Sequence, residues 1–250
     1  MVISIGSQKG GVGKTTTSLA LAAGLAHRGK KVLLIDVDYQ ANSSKVLLPE
    51  YQKLDTQQTV YATILERKPL TAHPTAIPNL EIVPSHILVS NADLTLITAL
   101  DNRAQRLKIE LEKIRSQWDY VLIDCPPSIG WLTLNAFTAS DKIIVVVSPG
   151  YFELDSIVQI DKTIAKVKEE FNPNLELLGM LFNLSDNTNA TTASLQLLRQ
   201  AYPNKVFRTI IPRNTDIKEA QLSKQDIFTF NSKANAAIAY QNLMKELFDL

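Results

Sequence analysis

The sequence predicts an α/β fold: a mostly parallel, twisted sheet of about seven or eight strands flanked by helices. Three observations predict it. Short, β-branched apolar runs alternate with longer stretches of helical period. Several runs contain no polar residue, as strands buried on both faces require. The first run passes through a glycine-rich turn straight into a helical stretch.

In chain order the strand candidates are Val2–Ile5, Val32–Ile35, Leu80–Val83, Tyr120–Ile123, Ile143–Val147, Leu177–Phe182 and Val206–Ile211. Helices are expected near 15–28, 90–116, 130–139, 153–170, 188–201 and 232–248. Residues 40–80 carry Pro49, Pro69, Pro74 and Pro78 and read as an excursion with one helix at 58–67. No linker, repeat or low-complexity tract divides the chain, and its 45% hydrophobic content suffices for one core, so residues 1–250 are expected to form a single domain.

Composition narrows the function classes. Lysine and arginine number 26 against 25 acidic residues, a net charge of +1 that neither demands nor excludes nucleic acid, which needs only a local basic patch. Cys125 is the single cysteine, which excludes an internal disulfide and a four-cysteine metal site, and points to a reducing, cytoplasmic home. The opening apolar stretch breaks at Gly6-Ser7-Gln8-Lys9, so no secretory leader is expected. Nothing approaches the roughly 20 apolar residues of a membrane span.

The turn after the first run is Lys9-Gly10-Gly11-Val12-Gly13-Lys14-Thr15-Thr16. Glycines 10, 11 and 13 let backbone N–H groups converge on phosphate oxygens, and the following helix adds its positive end. Lys14 is placed to reach the β- and γ-phosphates, and the Thr15 hydroxyl to ligate Mg²⁺. The strict pattern would have glycine where Gln8 stands, but strand, loop, lysine, threonine and helix all fall in order. This is a P-loop NTPase signature.

In an open parallel sheet the chemistry lies at the carboxyl ends of the strands. Two such ends carry acids: Asp36, with Asp38 one step beyond, and Asp124. Asp124 suits magnesium held through water, because Mg²⁺ dehydrates reluctantly. Thr15, Asp36 and Asp124 make up the expected metal set, and Asp38 is placed to orient or deprotonate the attacking water. A strand-terminal aspartate is commonly just a helix cap. Two of them downstream of a phosphate loop argue for chemistry instead.

With these residues in hand, the chain resembles the ParA/MinD group of deviant Walker A ATPases, the ParA branch most closely. The segment Gln8–Thr17 is similar to the group's deviant Walker A loop, and Asp36-Val37-Asp38-Tyr39-Gln40 to its second motif. Asp124-Cys125-Pro126-Pro127-Ser128 with Leu132–Ala136 resembles its Walker B and switch region. Ile211-Pro212-Arg213-Asn214 and Glu219-Ala220 resemble the segment near the adenine and the DNA face.

The resemblance implies ATP and Mg²⁺ as ligands, with Lys9 as the signature lysine that crosses an ATP-sandwiched homodimer. It implies Asp38 as the hydrolytic aspartate and Asp124 as the magnesium-associated one. It also implies non-specific DNA binding by the ATP-bound dimer and release by a ParB-like or cargo-adaptor protein. A nucleoid-associated, cytoplasmic positioning cycle would follow. The chain departs from the pattern at Tyr39 (often proline), at Gln221 after Glu219-Ala220 (often proline), and at Asp186-Asn187-Thr188, which lacks the usual arginine.

Asn183-Leu184-Ser185-Asp186 faintly matches a guanine-reading motif but lacks its lysine, so adenine is expected, with Asn183 and Pro212 as base contacts. Arg213, Lys218 and Lys233 are the DNA candidates; each alone reads as a solvated charge, whereas a doubled patch gains avidity. A MinD-like membrane binder would want a cationic amphipathic C-terminus. Here Ala237, Tyr240, Met244 and Leu247 form an apolar stripe with Lys245 as its one cation, so the helix is expected to pack on the sheet. An iron–sulfur redox role would need two cysteines, and a tyrosine autokinase a tyrosine-rich tail; the chain has neither.

Overall fold

Seven strands assemble as β1 (Val2–Gly6), β2 (Val32–Asp36), β3 (His73–Pro74), β4 (Leu80–Val83), β5 (Tyr120–Asp124), β6 (Lys142–Val147) and β7 (Glu176–Phe182). The computed structural model describes residues 1–150 and 153–248, with side chains for all of these but 153–156. The sheet order is β3-β4-β2-β5-β1-β6-β7. Every pair is parallel except the short antiparallel edge β3–β4. The acid-bearing ends stand side by side: Asp36 is registered against Asp124, and Ile5 at the mouth of the phosphate loop against Asp124 on the other flank.

Alternation along each strand feeds two cores. Leu33, Ile35, Val121 and Ile123 face one side; Ile3, Ile5, Leu34 and Leu122 face the other. The first side is covered by α3 (Val60–Glu66), α4 (Ala92–Ile97), α5 (Arg106–Glu112), α6 (Trp131–Thr138), α7 (Glu153–Glu170) and α8 (Asn189–Ala201). The second carries α1 (Lys14–Ala26), α2 (Asn42–Leu47), α9 (Asp216–Leu222), α10 (Ile227–Asn231) and α11 (Asn235–Phe248). Tyr240 of α11 is fully buried, and its hydroxyl lies 3.1 Å from that of Thr17 on α1. The apolar stripe of the C-terminal helix therefore packs largely on α1, while Phe248 at its end meets Tyr120 of β5 edge to face.

Two expected elements differ. The helix expected over 90–116 is broken into α4 and α5, because polar groups intercept the backbone between them. Asn135 accepts from the Leu107 N–H and donates to the Arg103 carbonyl. Arg106, nearly buried, grips Asp101 and the Ile64 carbonyl. Apolar spacing misled here because Leu94, Ile97 and Leu100 continue the helical period while facing solvent.

The strand expected at 206–211 is reduced to isolated parallel bridges, Met180 with Val206 and Ser185 with Pro212. The cause lies in α11, where the Glu246 carboxylate accepts the N–H groups of Arg208 and Thr209 at 2.7 and 2.9 Å. Those two donors are diverted from the ladder. Within the proline-rich excursion the structure adds α2, which bears on the site.

Candidate functional site

The loop between β1 and α1 is shaped by glycine and by a buried amide beneath it. Gly11 and Gly13 have φ of 75° and 95°, a region side chains disfavour. A Cβ on Gly13 would lie 2.1 Å from Nδ2 of Asn183. That amide donates to the Val12 carbonyl at 2.7 Å, while its oxygen accepts the Leu184 N–H. Asn183 is 1% exposed and so supports the loop from below. No side chain caps α1, and its first N–H groups are directed at the loop.

The loop forms a ridge between two cavities. One, of about 800 Å³, is lined by Gly10, Gly11, Gly13, Lys14, Thr15 and Thr16, with Asp38, Tyr39 and Lys45 opposite and Lys218 and Gln221 closing a third side. The other, of about 640 Å³, is lined by Lys9, Ser148, Asp186, Thr188 and Arg213, and shares Gly10 and Gly11. The predicted site residues thus separate: Lys14, Thr15, Thr16, Asp38 and Lys218 meet in the first cavity, Lys9 and Arg213 in the second. Pro212 is half-buried in its bridge to Ser185, and Lys233 is exposed just ahead of α11.

Lys14 is 6% exposed, and its Nζ donates to the Lys9 carbonyl at 3.2 Å. Burial lowers its pKa, while Asp124 and Asp38 oppose that shift. The acids are displaced the other way. Burial raises Asp38, although its Oδ1 accepts the Gln40 N–H at 2.9 Å. Burial raises Asp124 to about 6. Asp36 rises well above the ordinary range, first by burial and then by the charge of Asp124 beside it.

What fixes the acids is a pair of consecutive serines on α2. Ser43 donates to Asp124 Oδ2 and Ser44 to Asp36 Oδ2, both at 2.7 Å. Ser44 also gives its N–H to Asp36 and accepts the Ser85 N–H. Ser18 and Thr15 complete the donors around Asp124. These hydroxyls were missed from sequence; the available signal was a serine pair shortly after Asp38 at the start of a helix. Gln221 was noted only as a departure, yet its Nε2 donates to the Thr16 hydroxyl at 3.2 Å.

The donor set fits Mg²⁺ in one way. Asp124 touches Thr15 through a hydrogen bond, so the hydroxyl beside the cavity is oriented by a carboxylate behind it, as a site retaining waters requires. Asp36 spends its oxygens on Ser44 and on the Asp38 N–H. Among the described residues no cluster of three His, Cys, Asp or Glu side chains forms a cation cage. A magnesium ion held here would draw on Thr15, and on Asp124 behind it, with its remaining ligands supplied from outside the chain.

A parallel sheet with a phosphate loop at its carboxyl edge, backed by buried acids on neighbouring strands, defines the P-loop class of nucleotide-binding proteins. A family model described as an AAA domain matches residues 1–177. The sporulation initiation inhibitor protein Soj of Bacillus subtilis is 36% identical over 249 residues, covering 98% of this chain and 97% of its own. The chromosome partitioning protein ParA of Myxococcus xanthus is 34% identical, covering 98% and 87%.

Among solved structures, cobyrinic acid a,c-diamide synthase from Mycobacterium smegmatis, with a bound ATP analog and magnesium, is 31% identical. Its TM-score is 0.83, over 98% of this chain and 94% of that one. Apo McdA from Cyanothece superposes with a TM-score of 0.88 over 98% of both chains, at 20% identity, a likeness of fold alone. The chain belongs to this AAA-domain family, and within it to the ParA/MinD group of ATPases.

Proposed function

We propose that this chain is a Mg²⁺-dependent ATPase of the ParA kind, in which residues 1–250 act as one domain whose ATP-bound form dimerises and binds DNA without sequence preference. A partner protein of the ParB or cargo-adaptor type stimulates hydrolysis and releases it, so that a plasmid, chromosome or protein cargo is positioned in the cytoplasm along the nucleoid. The observation that carries this reading is the placement of Lys14, Thr15 and Asp38 around one cavity, with Asp124 sealed behind Thr15.

In this reading the loop amides and Lys14 hold the triphosphate, and Lys9 reaches the phosphates of the second copy. Magnesium supplies charge neutralisation to the phosphate oxygens when bound, with Thr15 as its hydroxyl ligand, Asp124 acting through water and Asp36 behind. Asp38, 6% exposed and raised in pKa, accepts a hydrogen bond from water and takes up its proton as the oxygen attacks the γ-phosphorus and the bond to the bridging oxygen breaks, releasing ADP and phosphate. Adenine is favoured over guanine, with Pro212 near the base and Asn183 acting through the loop it supports. Arg213, Lys218 and Lys233 are exposed and available to DNA phosphates.

A MinD-like membrane attachment is less favoured, because the apolar face of α11 is packed against α1. Asp38→Ala should lower ATP turnover at least ~100-fold while leaving ATP affinity within a few-fold. Turnover at the wild-type rate would remove Asp38 from the chemistry. An ATP-dependent gel shift on arbitrary-sequence DNA, run beside anionic liposomes and across salt, separates the two attachments: loss of the shift with rising salt supports DNA, and co-sedimentation with liposomes alone supports the membrane.

A further inference from the structure

The wall that faces the phosphate loop carries three buried acids and one exposed cation. Asp36, Asp38 and Asp124 lie at or just beyond the ends of β2 and β5, and Lys45 of α2 lines the cavity together with Asp38. A terminal phosphate brought up to an ionised Asp38 meets like charge unless a cation on the same wall offsets it.

The placement of Lys45 is built into the turn before it. Three consecutive residues of α2 grip three parts of the site. Ser43 holds Asp124 and Ser44 holds Asp36, while the Lys45 ammonium donates to the Gln40 carbonyl at 2.7 Å. Gln40 gives its own N–H to Asp38 Oδ1 at 2.9 Å. The ammonium and the Asp38 carboxylate are therefore anchored to the two sides of one residue. The turn that brings them together is strained: Ala41, 1% exposed, has φ 53°. Its N–H donates to the Asp38 carbonyl at 2.8 Å, and its carbonyl accepts the Lys45 N–H at 3.0 Å. A residue with a side chain keeps such a backbone only where its surroundings enforce it.

The Gln40 carbonyl is a neutral acceptor, whereas a phosphate oxygen is charged and makes the stronger bond. The flexible lysine stem allows an exchange between the two. Lys218, the cavity's other exposed cation, comes from α9, whose Gln221 meets Thr16 on the loop side.

We propose that Lys45 moves its ammonium from the Gln40 carbonyl to the γ-phosphate of ATP bound in the same chain, and so lets the site tell ATP from ADP. The inference rests on the reading that places Asp38 at the γ-phosphorus, and it adds the residue that reads that phosphate. ADP ends at the β-phosphate, which the loop amides and Lys14 hold from the opposite side, so it offers Lys45 no partner. Lys45 acts here within one chain, unlike Lys9, which lines the cavity on the other side of the loop.

The test compares wild type, Lys45→Met and Lys45→Arg by calorimetry with Mg²⁺ and either ADP or the β,γ-imido analogue of ATP. Protein is kept at a concentration where light scattering shows a monomer. Lys45→Met retains the aliphatic stem and removes the charge. Its affinity for the analogue should fall about 10-fold, with ADP affinity unchanged within two-fold. Lys45→Arg should recover most of the loss. Analogue affinity equal to that of wild type in Lys45→Met overturns the proposal. An equal loss for both ligands also overturns it, because Lys45 then only clamps the turn.

A second measurement needs no variant and so covers a turn that loosens without its clamp. Wild type is treated briefly with acetic anhydride, and acetylation of Lys45 is read by mass spectrometry. The analogue should protect Lys45 and ADP should not; equal labelling with the two ligands overturns the proposal. Wild type that binds neither ligand removes the nucleotide reading itself, and the role of Lys45 with it.

Discussion

The walls on the two sides of the phosphate loop hold their carboxylates in opposite ways. On the β2–β5 wall Asp36, Asp38 and Asp124 are buried, and burial drives all three toward the protonated form despite the hydroxyls and amides donated to them. On the β7 wall Asp186 accepts from the hydroxyls of Thr188 and Thr191 in the open, and those bonds hold it below the usual carboxylate range. Outside both cavities, Glu246 of α11 is partly buried, which pushes it up, but its hydrogen bonds from Arg208 and Thr209 more than offset that. On the first wall burial disfavours the charged form, and a cation bound beside these acids would favour their ionisation. The second is a structural wall whose acid ties backbone.

The largest expected effect comes from the loop that joins the walls. Gly13→Ala would place a methyl at a left-handed φ and against the Asn183 amide, at a cost of about 2–3 kcal/mol in stability. Displacing that amide also frees Val12, so ATP affinity should fall at least ~100-fold. A variant that melts with wild type and binds ATP normally would show that Asn183 moves aside without cost, and that the two walls are not joined there.

Next are the serines of α2, which sharpen the contrast within the first wall. Ser44→Ala removes the donor to a fully buried Asp36 and the acceptor for the Ser85 N–H, and should cost about 2–3 kcal/mol. Ser43→Ala should cost about 1 kcal/mol, because Ser18 and Thr15 still serve Asp124. Chemical denaturation of both variants checks the order. If Ser43→Ala is the more damaging, the metal-facing acid depends on α2 more than the neighbouring one does.

The same wall should respond to pH. Asp124 has a folded pKa of about 6 against the lower value of an unfolded aspartate, so its protonated form is the one folding favours. Its contribution is complete below the unfolded pKa, about 4, and is lost as pH rises through about 6. The nucleotide-free chain should therefore lose melting temperature across that window, and Asp124→Asn should flatten the loss. Asp186 runs the other way: its contribution holds above about pH 4 and fades on acidification. Equal slopes for wild type and Asp124→Asn would mean that other groups set the profile.

These residues also mark what the sequence discloses. The strand order of chemistry, from loop to Asp38 to Asp124, was legible because each piece obeys a local rule: glycine where φ is positive, acids at the ends of apolar strands. The role of Ser43 and Ser44 was not, since it exists only where β2 and β5 lie side by side. The break between α4 and α5 was hidden for the same reason: Asn135, some thirty positions away, takes the Leu107 N–H. The lost strand at 206–211 depends on Glu246 of a helix whose approach no local pattern announces.

The smallest effects belong to the exposed cations, and they test whether the structural wall also touches DNA. Arg213 lines the cavity on the β7 side, Lys218 the cavity shared with Asp38, and Lys233 stands ahead of α11. If each neutralises one phosphate, a single change to alanine should weaken binding a few-fold for any DNA sequence and lower the salt slope by about one. Because an ATP-bound dimer would present each residue twice, the loss should be larger with ATP than with ADP. Fluorescence anisotropy on two unrelated duplexes across salt would show it. A variant that alters affinity without altering the slope acts through the fold, and its cation never meets a phosphate.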